Sequence, residues 1–331
     1  MAGVYGGDWV VDETNLKLWQ IFFPYAYSRV QTAKKSNTQF VHYTSAETAI
    51  KIIRNNEVWM RNALVMNDFA EIEHGKECVL AACHDDVVGT RLSAALLGID
   101  SGIWQAVTEL FDKTDFQQRT GTYLISFSEH GDGSVDEDRF GRLSMWRAYG
   151  GDTNVALVLN NEPFHAETNA LSATTTPVFY ANPNDFKNEF LNVVENIEKN
   201  IQFLKSQPVD DLVNSIYSML FYAVLSTKHP GFSEEREWRV IYSPKIYPNE
   251  RMKYSVEVVG GIPQKVYKLP LNNIPDEGLV GLTVPELLRE VVIGPTEYPN
   301  PMFEAFVDVM QDAGIPDAHT RIKVSGIPLR R

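Results

Sequence analysis

Cysteine is scarce in this 331-residue chain, which holds two, Cys78 and Cys83. Five apart in a helical context, they suit neither a disulfide across a helix nor a four-ligand zinc site, so both are expected to be buried thiols. His84, beside Cys83, adds no metal set. Long apolar runs are also missing. None approaches the ~20 residues of a membrane span, and the opening MAGVYGGDWVVDETNLKLWQ has no basic stretch ahead of an apolar one, so the expectation is a cytoplasmic protein. Positive charge is in deficit: 30 Lys and Arg against 43 Asp and Glu leave a net charge of −13. That balance works against non-specific attraction to nucleic acid but does not exclude a local basic groove. The basic residues that do gather, at Arg321, Lys323, Arg330 and Arg331 and at Lys34 and Lys35, read as solvated surface. Neither G-x-G-x-x-G nor G-x-x-x-x-G-K-[ST] occurs, no repeat is visible, and no stretch rich in Gly, Pro or Ser separates two units. One domain over 1–331 is expected, a helical extension at 1–39 preceding a core at 40–331 with helical insertions.

What is present is aromatic. Seventeen Phe, fourteen Tyr and six Trp argue for a filled core along the whole chain. Phe40 to Tyr43 reads as a strand; Thr44 or Ser45 can cap the following helix, whose stripe is Ala49, Ile52 and Ile53, and Asn55 and Asn56 end it. Val58 to Met60 is extended again. A loop and a helix follow, then helical scaffold from Asp85 to Gln118 and a β-rich run from Thr122 to Ser128. The acidic EHGDGSVDEDRFG reads as a mobile loop that could close over a substrate, and LSMWRAYGG as a short helix. Val155 to Leu159 and Val178 to Tyr180 are strand candidates separated by a Ser/Thr-rich loop. Two helices broken at Pro208 span Asp185 to Ser226. A turn leads into REWRVIYSP, which alternates as a strand, and β pattern recurs at Tyr254 to Tyr267, Glu290 to Ile293 and Thr320 to Val324, with a helix at Pro301 to Asp312. Helices and strands mix without βαβ regularity, so the fold class is α+β.

Three separated clusters carry side chains that suit a charged nucleotide: His42-Tyr43-Thr44, Trp146-Arg147 with Tyr149, and Glu234 to Arg239. Each has a plainer explanation alone. A His after a strand is more often structural, Trp146 and Tyr149 share a helical face as core residues do, and most charge runs are solvated. The acidic cluster is the most informative, because on a strand Glu235 and Glu237 point to one side while Arg236 faces away. Asn67, with Asp68, either lines a pocket or forms a turn.

Taken together, FVHYTS, SMWRAYG and KHPGFSEEREWRV, in this order, resemble the motifs of a poorly characterised prokaryotic family grouped with the ADP-ribosyltransferase superfamily. The resemblance spans Phe40 to Val240. It implies a split β-sheet core with surrounding helices, and NAD as co-substrate without a metal. It also implies that His42 binds the adenosine-side ribose and that the backbone of Tyr43 holds the nicotinamide amide, with Thr44 among the cofactor-binding residues. Glu237 would contact the nicotinamide ribose and Glu235 would select or activate the acceptor. Arg147 could pair with the pyrophosphate and Trp146 or Tyr149 could stack on a ring, while Tyr123, Tyr149 and Trp59 each remain open as the nicotinamide-stacking aromatic.

Loss of nicotinamide leaves an oxocarbenium-like ribose, which a fixed carboxylate stabilises as its charge appears. The implied function is therefore mono-ADP-ribosyl transfer to a macromolecule, RNA, DNA or protein, by a bacterial toxin or anti-phage effector with a neutralising antitoxin or immunity partner. An NAD glycohydrolase and a non-catalytic nucleotide-binding module are the alternatives.

Overall fold

A computed structural model describes residues 13–65, 69–131, 135–149, 151 and 153–328. The chain opens with helices α1 (Glu13–Phe22) and α2 (Pro24–Ser36), then β1 (Gln39–Ser45), α3 (Ala46–Asn55) and β2 (Glu57–Asn62). Helices α4 (Phe69–Cys83), α5 (Val88–Leu97) and α6 (Ile103–Gly121) lead to β3 (Tyr123–His130), α7 (Val135–Phe140), α8 (Leu143–Tyr149) and β4 (Asn154–Leu159). Next come β5 (Ala173–Pro177), β6 (Phe179–Tyr180), α9 (Pro183–Lys199), α10 (Ile201–Lys205), α11 (Val209–Ser226), β7 (Thr227–Lys228) and β8 (Glu237–Tyr242). The chain finishes with β9 (Lys253–Val259), β10 (Ile262–Pro270), α12 (Val284–Leu287), β11 (Leu288–Ile293), α13 (Pro299–Asp312) and β12 (Ile322–Val324). The fold is α+β. Among the described residues no helix is long and apolar enough to cross a membrane.

Local chemistry accounts for the opening unit as the sequence suggests. The Ser45 hydroxyl accepts from the Thr48 amide, 3.2 Å away, and caps α3; Asn56, left-handed at φ 52°, ends it. Two segments differ from expectation. Within the acidic stretch Val135–Phe140 form α7, whose first turn carries Asp136, Glu137 and Asp138, a favourable place for acids at a helix's positive end. Arg142 and Arg236 both bind Glu137, so α7 is held by ion pairs where a mobile loop was expected; 132–134 lie outside the described residues. The Ser/Thr-rich stretch contains β5, in which Thr174 and Thr176 are buried and pair with β8, because β-branched side chains fit a pleated surface.

Among the described residues ten strands form one sheet, in which β3 is the branch point. Along one edge β3 pairs antiparallel with β8 from Tyr123 to Ser128. Along the other edge its C-terminal end pairs with β1, at Ser128 to His130, and its N-terminal end with β2, at Tyr123 and Leu124. Ile125, Ser126 and Phe127 face the gap, and β1 and β2 diverge from it. The sheet is thus split, and the split opens beside the middle of β3.

Alternation gives β3 and β8 two different faces. On one, Ile125, Phe127, Trp238 and Val240 join a core completed by α3 and α13 through Ile52, Ile53 and Phe306. On the other, Leu124 and Ile241 pack under the helical layer of α4, α6, α9 and α11. A small cluster of Val41, Tyr43, Met145 and Trp146 covers the far end of the sheet.

Candidate active site

Side chains from β3, β7, β8 and α4 meet on that second face as a buried charged network. Glu237, 5% exposed, and Arg239, 1% exposed, follow the two-residue period of β8. Arg239 Nε donates to Glu237 Oε1 at 2.7 Å and Nη2 to Glu237 Oε2 at 3.2 Å. The Lys228 ammonium on β7 lies 2.7 Å from Glu71 Oε1, 2.7 Å from Glu235 Oε2 and 3.1 Å from Glu237 Oε2. Glu71 also accepts from Arg239 Nη2. Its arrival depends on Gly75, one turn further along α4, where a Cβ would collide with the backbone carbonyl of Val224 on α11. The close helix approach that only glycine permits at that point brings Glu71 over the strands.

Three carboxylates against two cations leave one excess negative charge when all five groups are ionised. Its consequences differ between the glutamates. Burial alone would raise Glu237, but Arg239 and Lys228 outweigh it and hold the carboxyl down at about 2. Glu237 is therefore ionised at neutral pH. Glu235 is pushed up, first by burial, against the opposing pull of Lys228. Lys228 in turn is raised by Glu237 and Glu71 despite its burial. Such a cluster carries a desolvation cost that apolar residues of the same volume would not, so stability alone does not account for it. Among the described residues no three His, Cys, Asp or Glu side chains are placed to hold a metal ion. Cys78 is buried, Cys83 half-buried and both are unpaired thiols.

A cleft of about 550 Å³ opens in the split of the sheet. It is lined by His42, Tyr43 and Thr44 of β1, Trp59 and Arg61 of β2, and Leu124 to Ser128 of β3. Tyr149, Glu235 and Glu237 face it too. Ser126 ties its two sides together. Its carbonyl oxygen lies 3.0 Å from His42 Nδ1, and its hydroxyl donates to Glu237 Oε1 at 2.5 Å. With the carbonyl accepting, Nδ1 carries the proton and Nε2 is left as the acceptor of a neutral ring. Burial keeps His42 below its ordinary value, consistent with that neutral form.

Glu235 and Glu237 do converge, though not by strand alternation. Residues Pro230–Glu235 form a 3₁₀ turn, Arg236 is left-handed at φ 45°, and β8 begins only at Glu237. Arg142 secures that turn by donating to the carbonyls of Glu234 and Glu235 at 2.6 and 2.9 Å, and to the carbonyl of Glu129. Arg236 faces away toward Glu137 and the Gly131 carbonyl. The Tyr149 hydroxyl donates to Glu235 Oε1 at 3.3 Å, and the Tyr180 hydroxyl accepts from the Glu237 amide at 2.8 Å.

The remaining sequence candidates divide. The Tyr43 hydroxyl turns away to accept from the Arg142 amide at 3.1 Å. Trp146, 2% exposed, stands edge-on to Tyr43 with centroids 4.7 Å apart and donates to the Phe140 carbonyl; it supports β1 from behind and does not line the cleft. Arg147 is exposed and outside the cleft wall. Tyr149 and Trp59 both line the cleft, whereas Tyr123 lies in the core. Asn67 falls outside the described residues. Ser126, Lys228, Arg239 and Glu71 escape a reading of the sequence. Only Arg239 left a signal, being two residues beyond Glu237 on an otherwise apolar strand.

A family described as "Protein of unknown function (DUF2971)" matches residues 145–240, a stretch that includes Tyr149, Lys228, Glu235, Glu237 and Arg239 but not β1. No curated protein and no solved structure matches the chain.

Proposed function

We propose that the chain cleaves NAD at the nicotinamide–ribose bond and transfers ADP-ribose to a macromolecule, with Glu237 beneath the scissile bond. The observation that carries this is a buried carboxylate, paired with Arg239 and Lys228, in the same cleft as His42, with Ser126 fixing both. As the C–N bond breaks, its electron pair leaves with nicotinamide and the ribose becomes cationic. An anion already oriented by Arg239, Lys228 and Ser126 stabilises that charge without reorganising. The same anion attracts the positively charged pyridinium ring in the ground state.

Glu235 takes the second role. Its raised pKa makes it a better proton acceptor than an ordinary glutamate, and it stands at the cleft wall beside Glu237. It receives the proton of the attacking nucleophile as the new bond to the anomeric carbon forms. Thr44 and the backbone of Tyr43 line the same wall, where the amide of nicotinamide can be held. Tyr149 and Trp59 are the aromatics placed to stack on a ring, and Arg61 is the guanidinium in the wall that can face the pyrophosphate. Arg61 takes over the part expected of Arg147.

The function class that fits is a toxin or anti-phage effector, its acceptor RNA, DNA or protein, restrained by an antitoxin or immunity partner. Incubation with NAD labelled in the adenylate half tests the reading. Label on RNA, DNA or protein supports transfer, free ADP-ribose alone supports the glycohydrolase, and intact NAD rules out both.

A further inference from the structure

The hairpin of β9 and β10 leaves the body of the molecule at the end of the sheet. Gly260 and Gly261, at φ 59° and 80°, form a two-residue turn of the kind that requires positive φ twice. Among the described residues β9 pairs with β10 alone, so its outer edge is free. A seven-residue free edge is normally blunted by charge, proline or a covering element. Here Tyr254, Val256 and Val258 share one face and are 59%, 70% and 68% exposed, a continuous apolar stripe on an unpaired strand. Single exposed apolar residues need no explanation, but a contiguous stripe on a free edge does.

The strand is self-complementary about Val256. Turned antiparallel on its own copy, it sets Val256 opposite Val256, Tyr254 opposite Val258, Ser255 opposite Glu257 and Lys253 opposite Val259. The apolar stripe then meets the same stripe. On the other face Glu257 lies diagonal to Lys253 of the second copy, within reach of a long side chain. Lys253 has no ion pair among the described residues; across the hairpin it is in register with Lys268, whose ammonium already pairs with Glu57 at 2.9 Å, so an incoming carboxylate would meet Lys253. Among the described residues Glu257 is engaged by the Ser255 hydroxyl, 2.7 Å away, and by no cation. An isologous contact needs this reciprocity, in which one surface satisfies itself under a two-fold axis.

We infer that two copies of this chain pair β9 to β9 in antiparallel register, with Val256 on the two-fold axis and the sheet continuous across both. Seven residues per side make a contact at the small end of specific interfaces, so the monomer and dimer exchange with concentration. The contact also reaches the cleft. Val258, Val259 and Gly260 line it, and the register places the partner's Lys253 beside Val259, adding a cation at the cleft lip. This inference stands apart from the chemistry assigned to the cleft, because it rests on the hairpin alone.

Sedimentation velocity of the full chain between about 1 and about 200 μM tests it across the range in which contacts of this size associate. The expected result is a shift from monomer to dimer. Lys253→Glu and Glu257→Lys should each weaken association by about tenfold at low salt, and the double variant should restore it, since the pair is then reversed across the axis. Val256→Cys, oxidised with glutathione, should give a disulfide-linked dimer, as a residue opposite its own copy satisfies the Cα spacing of a disulfide. A chain monomeric throughout, single charge variants that dimerise like the native protein, or a Val256→Cys chain that does not cross-link would overturn the inference.

Discussion

The two faces of β8 are equally shielded from water and chemically opposite. Trp238, on one, is 1% exposed and lies in an apolar core with Phe40, Phe127 and Val240; Arg239, on the other, is also 1% exposed and lies among carboxylates. The apolar face explains itself, since removing such side chains from water stabilises the fold by about 25 cal/mol per Å². The charged face does not, because ion pairs withdrawn from water seldom recover their lost hydration. The contrast teaches where to look for function in an unfamiliar chain: at groups whose burial opposes stability, beside a cleft.

Breaking the charged face should have the larger effect on stability. Arg239→Met leaves three carboxylates facing Lys228 alone, and the loss expected on unfolding in urea is about 3–5 kcal/mol, the range for an uncompensated buried charge. Activity should disappear as well, since Glu237 loses its main orienting partner. Trp238→Phe on the opposite face removes volume and the hydrogen bond to Glu129 without touching the charges. It should cost roughly 1–3 kcal/mol and leave NAD turnover at native stability unchanged, which separates the two faces by their readouts.

Glu235→Gln sharpens the division between the two glutamates. Glu235 is raised, so on the proposed function the native protein should lose transfer as pH falls through a value above that of an ordinary glutamate, where the proposed base becomes protonated. Glu237 stays ionised down to about 2 and contributes no step in that window. The variant should therefore abolish the acid limb of the transfer profile, with bond cleavage to free ADP-ribose surviving at a reduced rate; an unchanged acid limb would remove Glu235 from the role of base. Arg147→Ala is the smallest effect. This exposed side chain stands outside the cleft, so stability should change by less than about 0.5 kcal/mol and the KM for NAD should not move.

Much of the cleft was legible because its parts lie on short, strongly patterned segments. The run from Phe40 through Ile53 reads as strand, cap and helix from local chemistry alone, and that unit delivers His42, Tyr43 and Thr44. Glu237 is visible as an acid opening a strand otherwise dominated by Trp238, Val240 and Tyr242. Partners that depend on tertiary approach left no local trace. Lys228 looked like part of a turn, and nothing near Glu71 announces that Gly75 lets its helix close on α11. Trp146 and Arg147 misled for the reverse reason: their residue types suit a nucleotide, but the helix that carries them turns the indole into the β1 support and the guanidinium to solvent. The acidic stretch before them was read from composition, which carries no sign of the arginines, Arg142 and Arg236, that bind Glu137.

The most direct measurement is the rate of nicotinamide release from NAD by the native chain and by Glu237→Gln, compared at neutral pH with the fold of each verified by thermal unfolding. The substitution leaves two carboxylates against two cations, so the network passes from one excess negative charge to neutral as the anion proposed to lie beneath the sugar is lost. Release should be readily detected in the native protein and fall by about 10²–10³ in the variant, the usual effect of removing one preorganised electrostatic group. Equal rates in the two proteins, or no release from the native one, would contradict the account.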